Sequence, residues 1–307
     1  MAEQLNQRDV YGKTLAELGK TDNNIVVLDA DLSGSTKTAV FAKEFPDRFF
    51  NFGVAEQNMM ATAVGLASCG KTVFASTFAM FATGRAWEQV RNAVAYNNFD
   101  IKIVATHAGV TVGPDGASHQ ALEDIALMRV IPHMNVIVPC DGPQTRDVIT
   151  AALSQKGPFY VRIARCKVLT IENKGVFKFG QAQILRQGKD VAIIACGIMV
   201  NEALIAADNL SKKGIQAKVI NMHTIKPLDT SAVIEAAQAT KGIVVCEEHS
   251  IIGGLGSAVC EVVSQKHPTK VLRVGVNDRF GQSGEPDELL KEYNLTSSDI
   301  EKAACSI

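Results

Sequence analysis

Long apolar runs, a charge excess and clustered cysteines are all missing from this chain of 307 residues. No apolar stretch approaches the length needed to span a bilayer. The opening residues Met1-Ala2-Glu3-Gln4-Leu5-Asn6-Gln7-Arg8 lack a signal-peptide apolar core. Lysine and arginine total 31 against 32 aspartates and glutamates, a formal net charge of -1, so nothing draws the chain to nucleic acid or an anionic membrane. Seven cysteines are scattered over positions 69, 140, 166, 196, 246, 260 and 305, with no Cys-x-x-Cys pair. Cysteine and histidine never cluster at ligand spacing, which excludes a zinc finger or ribbon. Cys196 and Cys246 lie in apolar runs and read as buried, reduced thiols, so a cytoplasmic residence is expected.

What is present is an ordinary globular composition, 47% hydrophobic and 21% charged, with length enough for two domains. Strand-like and helix-like segments alternate throughout. The first series has strands at 25–29, 49–51, 72–76, 101–106, 136–138 and 159–163. Helices are expected at 36–44, from Glu56 onward, at 79–96 and at 145–154. The pattern fades over 167–189 and resumes with strands at 191–195, 217–220, 242–246 and 270–274. Helices alternate with these at 200–213, 231–239 and 256–266. The expectation is an α/β protein of two open, doubly wound domains, 1–166 and 190–307, joined by a linker at 167–189.

Ligands of open α/β sheets bind beyond the carboxyl ends of the strands. Several chemically useful side chains fall there. Asp29 and Asp31 follow the first strand, Glu56 follows 49–51, Phe78 and Phe81 follow 72–76, and His107 opens a loop after 101–106. Glu56 shares a helix face with Met60, Ala63 and Ala67, and a carboxylate on such a face needs a partner or a task. Burial would raise its pKa and suit it to proton exchange; a first-turn carboxylate stabilised by the helix dipole is the plainer alternative. Phe78 and Phe81, three apart, can present to one side of a flat ring or simply fill a core. Loop 106–120 carries His107 and His119 among the glycines 109, 113 and 116, a favoured setting for catalysis. Glycines in Gly253-Gly254-Leu255-Gly256 do not form the Gly-x-Gly-x-x-Gly of a dinucleotide site.

Four motifs in order resemble the transketolase family. They are Phe52-Gly53-Val54-Ala55-Glu56-Gln57-Asn58, Ser76-Thr77-Phe78-Ala79-Met80-Phe81, Thr106-His107-Ala108-Gly109 and Gly113-Pro114-Asp115-Gly116-Ala117-Ser118-His119-Gln120. The resemblance covers nearly the whole chain and matches the C-terminal half of a transketolase, here a separate polypeptide. It implies thiamine diphosphate as cofactor and transfer of a two-carbon ketol unit from a ketose phosphate to an aldose phosphate. Glu56 would contact N1′ of the aminopyrimidine, Phe81 would stack on that ring with Phe78 beside it, and Asp31 would lie near the thiazolium. His119 would contact the C1 hydroxyl and move a proton, Asp115 would read the neighbouring hydroxyl, and His107 would lie nearer the phosphate. Arg165, whose guanidinium fork suits a phosphate, and Ser35 complete that end. Gly84 stands where many members carry a tyrosine.

The family binds Mg2+ and the diphosphate through a Gly-Asp-Gly motif with a downstream asparagine, and this chain has no Gly-Asp-Gly. The resemblance therefore implies an N-terminal partner subunit carrying that motif, most simply in an α2β2 heterotetramer with a homodimer of this chain at its centre. A β subunit of a 2-oxoacid dehydrogenase, a deoxyxylulose-phosphate-synthase-like enzyme and a non-catalytic assembly subunit are the competing readings.

Overall fold

A computed structural model describes residues 3–172 and 174–307. Its larger sheet has seven strands in the order Thr224–Lys226, Asn135–Ile137, Phe159–Arg162, Ile101–Thr106, Thr72–Phe78, Ile25–Asp29, Phe49–Asn51. All neighbours are parallel except Thr224–Lys226, which runs antiparallel to Asn135–Ile137. Four of these strands are buried at every position, as expected when helices cover both faces of a parallel sheet. The chain leaves Ile25–Asp29 toward one edge and Thr72–Phe78 toward the other. Those two adjacent strands, in register at Asp29 and Ser76, therefore flank the topological switch point.

The second sheet has five strands in the order Val271–Val276, Ile243–Ser250, Val191–Ala195, Ala217–Asn221, Gln183–Arg186, parallel except for the last. Helices Met199–Lys212 and Ser297–Cys305 pack on one side of it. Both halves are thus open, doubly wound α/β units.

Several elements differ from the sequence expectation. The segment 167–189 carries two strands: Lys167–Leu169 pairs antiparallel with Gln4–Asn6, and Gln183–Arg186 closes the second sheet. The helix expected at 36–44 is two short ones, Ser33–Thr36 and Ala39–Glu44, because Lys37 adopts a left-handed conformation (φ 71°). The buried Asp29 carboxylate enforces this break by accepting from the hydroxyls of Thr36 (2.7 Å) and Thr38 (2.8 Å) on either side of it. The long helix expected at 79–96 contains two π-helical segments, Phe81–Arg85 and Gln89–Ala95. The strand expected to end at Cys246 runs on to Ser250.

That last extension brings two carboxylates into the interior. Glu247 caps the helix Leu255–Lys266, accepting from the backbone N–H of Leu255 and of Gly256 (both 2.7 Å). The neighbouring glycines let strand and helix approach closely, since a Cβ on Gly254 would overlap the Glu247 carboxylate. Glu248 instead reaches the other half of the molecule and accepts from the Thr111 N–H (2.7 Å). Buried Arg162 strengthens the same joint, donating to Asp124 (2.7 Å) and to the carbonyl of Glu248 (2.9 Å). The two halves are therefore fastened directly beneath the loop that follows Ile101–Thr106.

Candidate active site

The switch-point crevice is lined from three strand ends. Phe78 is the last residue of Thr72–Phe78, and its ring stacks on His107 at a centroid distance of 3.7 Å and an interplanar angle of 22°. Phe81, one turn on, lies nearly parallel to Phe78 (6.0 Å, 16°). His119 stands edge-on to Phe81 at 5.3 Å. Two aromatics and two imidazoles from three sequence motifs therefore form one cluster.

Glu56 begins the helix Glu56–Ser68 and is 1% exposed. The partner that a carboxylate on an apolar face needs is Arg85. Nη1 of Arg85 donates to both carboxylate oxygens, at 3.0 and 2.9 Å, and the guanidinium carbon sits 4.8 Å from the Phe81 ring centre. The π-helical turn Phe81–Arg85 brings that guanidinium over the ring. Met60 and Ala63, on the same helix face as Glu56, are buried as expected.

His107 has a left-handed backbone (φ 57°) and is buried. Its Nδ1 lies 2.8 Å from the Thr106 hydroxyl and its Nε2 3.4 Å from Nη1 of Arg8. Arg8 can only donate, which assigns the ring proton to Nδ1. Burial first, then the charges of Arg8 and Arg165, depress the His107 pKa to about 3, so the imidazole is neutral at physiological pH.

Arg8 was not foreseen. It reaches the site from helix Gln7–Thr21, donating to the carbonyls of Ser35 (3.0 Å) and Arg165 (3.2 Å). Burial and the nearby Arg165 lower its pKa, the mark of two cations held together. Arg165 donates to the Val112 carbonyl (2.8 Å) and packs near Gly113. Arg8, Arg165, His107 and the backbone of Ser35 thus make a cationic end to the crevice. No sequence spacing pointed to Arg8, whose partners at this end of the site, Ser35, His107 and Arg165, lie 27 to 157 residues away.

Asp115 is exposed at the end of the 3-10 turn Val110–Asp115, and His119 is half-exposed with Nδ1 2.9 Å from the Ser118 hydroxyl. Loop 106–120 is fixed from below by buried Gln120, which donates to the carbonyls of Val110 (3.0 Å) and Gln282 (2.9 Å). Asp31 is exposed with φ 64° and is held by Asn51, whose side chain accepts from its N–H at 3.0 Å. The Asn51 amide also donates to the Asp31 carboxylate at 3.4 Å.

The Phe81 face and the buried Glu56 carboxylate are the kinds of group a flat ring bearing an N–H would use, and in this structure Arg85 engages both. Among the described residues no three His, Cys, Asp or Glu side chains gather to hold a metal.

Two open α/β halves, with a buried carboxylate, two phenylalanines and two histidines gathered at the switch point of the first, define the class of this protein. The chain belongs to the transketolase family. The profile of the transketolase pyrimidine-binding domain matches residues 3–169, and that of the transketolase C-terminal domain matches 180–300. The chain is 55% identical over 299 residues to a Methanocaldococcus jannaschii protein named for the C-terminal section of transketolase, covering 96% of this chain and 94% of that one. It is 42% identical over 298 residues to the 6-deoxy-6-sulfo-D-fructose transketolase subunit SqwH of Clostridium sp. (strain MSTE9), covering 97% and 92%. The solved structure of a split gene transketolase, an inactive beta4 tetramer, superimposes with a TM-score of 0.90 at 49% identity, covering 99% of this chain and 98% of that one.

Proposed function

We propose that this chain is the pyrimidine-side subunit of a split, thiamine-diphosphate-dependent transketolase. It would move a two-carbon ketol unit from a ketose phosphate to an aldose phosphate. The observation that carries this reading is the meeting of Glu56, Phe78, Phe81, His107 and His119 at the switch point of one sheet. Thiamine diphosphate would supply the electron sink for breaking and forming the carbon–carbon bond. Glu56 would hold a proton against the ring nitrogen N1′, with Phe81 as the stacking surface and Phe78 backing His107. Neutral His107, fixed as the Nδ1–H tautomer, offers a lone pair rather than a charge. His119, half-exposed on its loop, would exchange a proton with the sugar. Asp115, exposed on the same loop, would read a sugar hydroxyl. The cations Arg8 and Arg165 with Ser35 would receive the sugar's terminal anion. That a 42%-identical relative is named for a sulfonated fructose is consistent with an anion site of this kind.

Mg2+ and the diphosphate would be held by an N-terminal partner subunit in a heterotetramer. Support comes from the absence of Gly-Asp-Gly and from the similarity to the beta chain of a split-gene enzyme that is inactive as a tetramer of itself. The test is Glu56→Gln and Glu56→Ala in the assembled enzyme. Turnover should fall to near background with folding intact. Retention of more than roughly a tenth of the rate, a barrier change of only ~1.4 kcal/mol, would contradict the assignment.

A further inference from the structure

Arg85 satisfies, by itself, the two requirements the crevice makes of a ligand ring. Its guanidinium is a flat, delocalised cation. It lies over the face of Phe81 at 4.8 Å while one of its N–H groups bridges both oxygens of buried Glu56. A protonated heteroaromatic ring recognised by these residues would make the same two contacts, a stack on Phe81 and an N–H to Glu56. The two occupants cannot share that space.

We propose that Arg85 is an internal stand-in for the cofactor's aminopyrimidine, holding the ring site closed until the cofactor displaces it. The inference rests on the thiamine-diphosphate reading above.

Three features make Arg85 suited to this. First, Glu56 is almost wholly buried, and an unpaired carboxylate there would be costly, so the empty subunit needs a counter-charge. Second, Arg85 itself is half exposed (48%), so its side chain has solvent to swing into once released, whereas a fully enclosed arginine would not. Third, the Gln57 side chain donates to the Arg85 carbonyl (3.2 Å), which fixes the backbone while leaving the guanidinium free to exchange partners. A Cβ on Gly84, immediately before it, would meet nothing nearer than the Met80 sulfur at 3.8 Å, so the backbone there is open on that side. The physical consequence is a competition. Cofactor affinity is lowered by whatever the Arg85–Glu56–Phe81 contact contributes, and the subunit without cofactor is stabilised by the same amount.

The experiment is calorimetric titration of thiamine diphosphate with Mg2+ into the cofactor-free complex of this chain with its co-purifying partner. Wild type is compared with Arg85→Ala and with Arg85→Met, which keeps side-chain length without the planar donor. Both variants are expected to bind the cofactor at least tenfold more tightly than wild type, and their cofactor-free forms to melt earlier. If Arg85→Ala does not fold, the Arg85→Met value decides. Equal or weaker binding by the variants overturns the stand-in role alone and makes Arg85 an ordinary structural partner of Glu56. A wild-type complex that takes up no thiamine diphosphate overturns the cofactor reading, and the stand-in with it.

Discussion

His107 shows how individual side chains in this crevice are set by their neighbours rather than by type. Burial, Arg8, Arg165 and His119 all act in one direction and disfavour the imidazolium. The unfolded chain takes up this proton near pH 6.5 and the native one only near pH 3, so stability attributable to His107 is intact above pH 6.5 and is lost as pH falls from about 6.5 toward about 3. His107 should therefore show no imidazole titration above pH 4 by NMR, and His107→Asn should flatten the acid limb of the unfolding curve. A titration near pH 6 would contradict the described surroundings. The cations behind His107 bear on binding. Removing a charged hydrogen-bonding group typically costs ~1.5–3 kcal/mol, so Arg8→Ala or Arg165→Ala should each raise KM for phosphorylated sugars about 10- to 100-fold. Cofactor affinity should stay near wild type; an equal loss of both would argue against an anion clamp. Glu56 was legible in the sequence because a lone carboxylate interrupts an apolar helix face. Arg8 was not, since an arginine in a polar first turn looks like any solvated residue until the chain folds back on it.

At the level of elements, the strands of the first half were readable because fully buried parallel strands are β-branched and apolar at every position, as in Ile25-Val26-Val27-Leu28. Their edges misled where polar groups sit inside. The strand Ile243–Ser250 continues through Glu247, Glu248 and His249, all buried, because each accepts from a backbone N–H that sequence spacing does not reveal, His249 from that of Ala126. The break at Lys37 and the π-helical turns near Phe81 likewise depend on long-range packing that outweighs local propensity. One contact is a sharp test of how the halves meet. Gly109 has φ 82°, and a methyl there would overlap the carboxyl group of Glu248. Gly109→Ala should cost about 3 kcal/mol in denaturant unfolding, from backbone strain and the displaced carboxylate together. A change within ~0.5 kcal/mol would mean that Glu248 does not sit under the loop. Burial raises the Glu248 pKa to about 6 despite Arg162, so its native form binds a proton that the unfolded chain has already lost at that pH. That contribution is present below about pH 4.5 and is lost as pH rises through about 6, which Glu248→Gln should abolish.

For the molecule as a whole, the two halves are not independent beads. Thr224–Lys226, from beyond the first strand series, completes the first sheet, and residues 280–284 press on loop 106–120 through Gln282 and Ser283. This joint was invisible in the sequence, where residues 167–189 read as a plain linker. The second half thereby braces the loop that carries His107, Asp115 and His119. The most direct measurement is ketol transfer with thiamine diphosphate and Mg2+ by this chain alone, by its co-purified Gly-Asp-Gly partner alone, and by the two combined. Turnover is expected only in the combination, and only while Glu56 is intact. Turnover by the isolated chain, or undiminished turnover by a combination carrying Glu56→Ala, would contradict the assignment of this chain as the pyrimidine half of a shared active site.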